Sequence, residues 1–209
     1  MKLLQFNKVL CLSPHPDDVE YSMAATIKKF QDTQFDLICL TKGTSTDASF
    51  GNSRLKEVQL FWDQMQCSNV KLIDPFYESF EAAAIAQWIT AIETNMPMNE
   101  YDAIFTTSKL DSHQEHIFVN SLVPSLTRSK PISIIEYKSP STLHSWTPNY
   151  FVSCDIDSKL ISLRNAFISQ LDSVYFNESL IKLFHSDYNC SKRNVKLTEQ
   201  FNIQILYNT

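Results

Sequence analysis

The sequence predicts an α/β fold, one domain built on a mostly parallel sheet, and three observations predict it. Short apolar, β-branched runs alternate with longer segments of helical period, as in successive βαβ units. Residues able to do chemistry come immediately after strands, where an open α/β sheet gathers its ligand-binding loops. At 209 residues the chain suits one full-sized domain, residues 1–209, and no linker cuts it in two.

The elements follow in order. Lys8–Ser13 reads as the first strand. Residues 20–31 follow as a helix, with Met23, Ala24, Ile27 and Phe30 at helical spacing, and residues 35–41 form the second strand. The loop 42–52 holds both glycines of the chain, Gly43 and Gly51, and Gly43 suits a turn of positive φ. Residues 53–67 are a second helix, Val70–Ile73 a short strand and residues 79–95 a third helix. A strand over 102–106, a helix from about 113 to 126 and a strand over 132–137 close the regular alternation. The C-terminal portion is less regular: a Ser/Pro-rich loop at 139–149, a short apolar strand, a helix near 158–171 and a strand near 201–207.

Composition narrows the function classes. Apolar residues make up 44% and charged residues 20%, as in soluble globular proteins. The formal net charge is −5 with no dense run of Lys or Arg, which argues against nucleic acid as a partner. Five cysteines, odd in number and without a CxxC pair, read as reduced thiols of a cytoplasmic protein. Polar residues interrupt the N-terminal apolar stretch, so no secretory signal is expected. The later apolar stretch at 82–92 falls short of the roughly 18 residues of a spanning helix, so neither is integral membrane association. A homo-oligomer fits this composition as well as a monomer.

Two clusters carry the candidate chemistry. The first strand ends in Ser13-Pro14-His15-Pro16-Asp17-Asp18 and leads straight into a helix. Helix capping by Asp17 or Asp18 is the plain structural alternative there. The second cluster, Asp111-Ser112-His113-Gln114-Glu115-His116, follows a later strand, and histidines three apart in a first helical turn share a face. Three of the five histidines fall in these two places.

Hydrolytic zinc sites use three N and O ligands and leave a position to water, and His15, Asp18 and His116 would supply that set. Iron(II) suits similar N/O donors. Asp17 then fits the general base, and His113, as an imidazolium, an oxyanion stabiliser or acid. Glu115 or Asp111 would steady the His113 ring and raise its pKa.

With HPDD after the first strand, TKG after the second, Arg54-x-x-Glu57 on the next helix and D-x-H-x-x-H after a later strand, the sequence resembles the PIG-L/LmbE-like family of N-acetylglucosaminyl deacetylases. The likeness continues through Ser139-Pro140-Ser141-Thr142, Trp146-Thr147-Pro148-Asn149, Lys159 with Ser169-Gln170, and Glu199-Gln200-Phe201. It implies a Rossmann-like three-layer fold and a zinc-dependent hydrolase that removes an N-acetyl group from an amino-sugar conjugate. Carried over by position, His15, Asp18 and His116 are the metal ligands, Asp17 the base and His113 the oxyanion or acid histidine. Arg54 matches an arginine on the wall of the family's substrate cleft. Two departures stand out: Ala24-Ala25 replaces the usual paired glycines, and Glu115 stands where Asp is commoner.

The remaining residues each have two readings. Arg54 touches substrate, or pairs with Glu57 on the surface. Glu20 lines the cleft, or favours the helix N-terminus through its charge. Trp146 stacks on a sugar ring, or wedges beneath its loop. His144 and His185 lie outside every motif and read as structural or exposed. Cleavage of another amide, such as one in a thiol conjugate, and sugar binding without catalysis are the functional alternatives.

Overall fold

A computed structural model describes residues 3–43, 48–186 and 197–207. Its sheet has seven strands in the order β3-β2-β1-β4-β5-β7-β6. The strands are β1 (Lys8–Ser13), β2 (Gln34–Cys39), β3 (Val70–Ile73), β4 (Ala103–Thr106), β5 (Ser133–Tyr137), β6 (Tyr150–Ser153) and β7 (Thr198–Ile205). The first five pair in parallel, while β7 runs antiparallel between β5 and β6.

Six α-helices are described: α1 (Asp18–Lys29), α2 (Ala48–Met65), α3 (Ile85–Asn95), α4 (Gln114–Leu126), α5 (Asp157–Ala166) and α6 (Glu178–Phe184). The run KVLCLS becomes an interior strand, between β2 and β4, and both of its faces are covered. Val9 and Cys11 join Met23, Ile27, Phe61 and Leu163 on the face of α1, α2 and α5. Leu10 and Leu12, pointing the other way, join Trp88, Ile92, Val119 and Leu122 on the face of α3 and α4. The α/β layers with a mostly parallel sheet are those the sequence predicts.

Local boundaries differ where local signals compete. Gly51, expected in a loop, lies within α2, which begins at Ala48. Residues 44–47 of that expected loop, and Cys190, lie outside the described residues. The third helix is split, because Ala83 and Ala84 are extended between a 3₁₀ turn (Phe80–Ala82) and α3. The helix expected to reach residue 171 ends at Ala166, and a 3₁₀ turn (Ile168–Gln170) follows. The short α6 was not anticipated; Asn177 caps it by accepting from the Ser179 N–H at 3.0 Å.

Lys159 and Glu199, fully buried, pair at 2.6 Å. Glu199 also accepts the Ala25 and Thr26 N–H groups at 3.0 and 2.5 Å, and Lys159 Nζ lies 3.0 Å from His185 Nε2. One ionic cluster thus ties β7 and α5 to α1. Cys11, Cys39 and Cys67 are buried free thiols, and Cys154 is a half-buried one. No helix among the described residues is long and apolar enough to cross a membrane.

Candidate metal centre and active site

The chain runs from β1 out to β2 and β3 on one side, then returns to place β4 on the other side of β1. Adjacent crossovers diverge at such a reversal and leave a crevice at the carboxyl ends of the two strands. The loop after β1 carries residues 14–17 and leads into Asp18 at the start of α1, and the loop after β4 carries residues 107–113.

Local hydrogen bonds shape the first loop. Ser13 Oγ donates to the His15 carbonyl at 2.7 Å, and Asp18 Oδ2 accepts from the His15 backbone N–H at 2.9 Å. Asp17 stands at the N-cap of α1 with φ 119°, and its side chain caps nothing. A non-glycine residue there costs on the order of 1–3 kcal/mol, a strain typical of functional turns. Capping therefore does not account for Asp17.

Asp18 joins the two loops. Its Oδ2 lies 3.1 Å from His15 Nδ1, and its Oδ1 lies 3.4 Å from His116 Nε2. His15, Asp18 and His116 are all buried, and each offers one ligand atom within 4.8 Å of the others. The far nitrogen of each imidazole is engaged as well. His15 Nε2 contacts Glu115 Oε2, and His116 Nδ1 lies 3.1 Å from Asp111 Oδ2. Carboxylates placed this way fix the tautomer and orientation of a ligating histidine. Two imidazole nitrogens and one carboxylate oxygen, oriented from behind, fit a divalent cation. The three imidazole rings cluster, with His113 centred 4.9 Å from His15 and 4.8 Å from His116.

These placements correct the roles expected for Glu115 and Asp111. Glu115 or Asp111 was expected to steady the His113 ring; Glu115 holds the His15 ring instead, and Asp111 holds the His116 ring with Oδ2 while its Oδ1 accepts only the backbone N–H of His113 at 2.8 Å. The helical turn decides this, because His113 is the N-cap of α4 and its Nδ1 accepts the Glu115 backbone N–H at 3.3 Å. Asp111 is pinned in turn by Ser139 Oγ at 2.6 Å, so the Ser/Pro-rich loop braces the site from outside.

Electrostatics follow the geometry. Burial lowers the pKa of His15 and of His116, but their carboxylate partners outweigh it and raise His15 to about 9 and His116 to about 10. So negative a field favours a dication displacing those protons. Against burial, charged His116 and the hydrogen bonds from both imidazoles hold Asp18 well below the usual carboxylate range. Burial pushes Asp17 up to about 7, opposed by the Arg54 guanidinium. His113 is lowered, by burial and by its two imidazole neighbours, the reverse of the expected rise.

His15, Asp17, Asp18, His113 and His116 line a cavity of about 290 Å³. Tyr21 of α1 lines it as well, together with Gln170, Ser173, Tyr175 and Phe176 in the irregular segment after α5. Of these, only Gln170 lay in a motif, because aperiodic segments advertise little before they fold. Arg54 also lines the cavity, yet it bonds Asp17 Oδ2 at 2.8 Å and the Pro16 carbonyl at 2.5 Å. It makes no surface pair with Glu57, which accepts from Ser169 N–H and Oγ at 2.8 and 2.6 Å.

Glu20 and Trp146 do not line this cavity, which corrects their reading as substrate contacts. Glu20 is fully buried, takes the Trp62 indole N–H at 2.7 Å, and is raised to about 7 by burial. Trp146, 7% exposed, gives its indole N–H to Glu136 Oε2 at 2.9 Å and is the wedge beneath its loop.

Comparison with known proteins agrees with this architecture. The sequence profile of the PIG-L family, GlcNAc-PI de-N-acetylase, matches residues 10–127, more than half of the chain and both loops of the site. No curated protein matches the chain by sequence. Among solved structures, the fold is shared with the N,N'-diacetylchitobiose deacetylase of Pyrococcus horikoshii, with TM-score 0.73 and 20% identity over 96% of this chain and 84% of that one. A teicoplanin deacetylase in a zinc-inhibited form matches with TM-score 0.71 and 11% identity, over 93% of this chain and 96% of the other. The 4-carboxy-2-hydroxymuconate hydratase of Pseudomonas putida matches with TM-score 0.71 and 14% identity, over 100% and 98%.

Proposed function

This chain belongs to the PIG-L family, and from that premise we propose that it is a zinc-dependent hydrolase that removes the N-acetyl group of an amino-sugar conjugate. A hydratase shares the fold, so the fold does not choose the reaction and the site must. One observation carries the reading: His15, Asp18 and His116 converge on one point, each imidazole backed by a carboxylate, beside a carboxylate that belongs to no such pair.

His15 Nδ1, His116 Nε2 and an Asp18 oxygen would hold the ion. When bound, a divalent metal supplies an acidified water and a Lewis acid for the acyl oxygen. Asp17 takes the proton of the attacking water on Oδ1, the oxygen that Arg54 does not use. The same proton then goes to the amide nitrogen as the C–N bond breaks, so acetate and a free amine leave.

His113 acts differently from the sequence-based expectation of an imidazolium. Its Nδ1 accepts a backbone N–H, so the neutral ring carries its proton on Nε2. That N–H donates to the developing oxyanion. Glu115 and Asp111 keep the ligand rings in place, and the cavity walls exclude bulk water from the acyl group.

Acetate release across a panel of GlcNAc conjugates, with metal content measured on the same samples, tests the proposal. Stoichiometric metal with stoichiometric acetate and free amine is the expected result. A metal-loaded protein that releases no acetate from any of them overturns it.

A further inference from the structure

Arg54 reaches from α2 to the loop after β1, and the contacts it makes there are internal. Nη2 donates both to Asp17 Oδ2 and to the carbonyl of Pro16, the two groups on either side of the Asp17 backbone N–H. Nε is buried without a hydrogen-bond partner. The second terminal nitrogen lies against Gly43, where an added Cβ would stand 2.4 Å from Nη1 and 3.3 Å from Cζ. Gly43 itself has φ +93°, so both its backbone and the space above it call for glycine.

We propose that Arg54 is a positioning residue acting through Asp17, and that Gly43 is required because the guanidinium occupies the space its side chain would fill. The role rests on the reading of Asp17 as the base. Asp17 sits in a left-handed conformation that its own side chain does not stabilise. Arg54 supplies the restraint from outside by fixing the carbonyl before the strained residue and the carboxylate beyond it. One carboxylate oxygen is thereby held, and the other is left for the substrate side. Nη2 serves both acceptors while Nη1 lies against Gly43; the single ammonium of lysine can replace the first of these nitrogens but not the pair.

Two measurements test this. The first is a double-mutant cycle in kcat between Gly43→Ala and Arg54→Ala, with metal content checked, on whichever GlcNAc conjugate is turned over. Arg54→Ala should lower kcat about a hundredfold, the cost of misplacing a reacting group by about 1 Å, with KM unchanged. Gly43→Ala should lower kcat in the parent and clearly less in the Arg54→Ala background, where only the strain of its positive φ remains, and Arg54→Lys should recover part of the loss. A raised KM at unchanged kcat for Arg54→Ala, or fully additive losses, overturns the proposal.

The second measurement needs no turnover. Thermal unfolding of Arg54→Ala, Asp17→Asn and the double variant should show the two losses overlapping, because both break one contact. Additive shifts in Tm overturn the proposal. If no conjugate releases acetate, the proposed activity falls while this cycle still decides the role of Arg54.

Discussion

His116 Nδ1 lies 3.1 Å from Asp111 Oδ2, and this pairing turns the opposite nitrogen of the ring toward Asp18. Removing the carboxylate frees the ring to rotate and lowers its basicity. Asp111→Ala is expected to weaken metal binding about 10–100-fold, read by competition with a chromogenic chelator, with activity restored at high metal. Unchanged affinity would show that the ring needs no such support.

Asp17 separates metal binding from turnover. Asp17→Asn preserves side-chain size and leaves His15, Asp18 and His116 untouched, so metal stoichiometry should match the parent. Acetate release should fall by about 10²–10⁴-fold, the range for loss of a general base. Full activity in this variant would remove Asp17 from the mechanism.

Trp146 distinguishes wedge from sugar platform. Trp146→Phe keeps the apolar bulk and loses the hydrogen bond to Glu136, costing about 1 kcal/mol of unfolding free energy. KM should not change, since the ring does not line the cavity. A several-fold rise in KM with unaltered stability would restore the stacking role.

Chelation should destabilise the fold as well as silence it. A ligand present at 100 times its Kd stabilises the folded state by about 2.7 kcal/mol. Tm should therefore fall when metal is stripped and recover when it is returned. His116→Ala should show little of this dependence, and a parent protein whose Tm ignores chelators would contradict the metal centre.

His185 gives the acid limb of stability a sign. Burial, and then the charge on Lys159, hold its pKa well below the ordinary 6.5. The unfolded chain takes up this proton near pH 6.5, and the folded chain does so only at much lower pH. The contribution is thus complete above pH 6.5 and lost as pH falls below it, at up to about 1.4 kcal/mol per pH unit. Denaturant unfolding at pH 7.5 and 5.5 should show a smaller acid loss for His185→Gln than for the parent.

The sequence disclosed what depends on local pattern. Lys8–Ser13 is legible as a strand because six apolar-rich residues are too few for a buried helix, and the fold covers both of its faces. The two clusters were visible because each follows a strand. Which carboxylate serves which histidine was not legible, since that depends on how the first turn of α4 meets the other loop. Glu20 looked like a first-turn residue near the cleft, but Trp62, 42 positions away on α2, decides where it points. The wall formed by residues 170–176 has no period to betray it, and Glu57 anchors it through Ser169 from another helix.

The buried Glu199 carboxylate sits on the last strand, yet two of its partners are backbone amides of the first helix. Ribosomal synthesis delivers those two ends of the contact far apart in time. Until residue 199 leaves the exit tunnel, the helix that presents Asp18 lacks its far anchor, however early its own residues emerge. The amides of α1 thus gain this anchor only after residue 199 has been made, well after His15, Asp18 and His116.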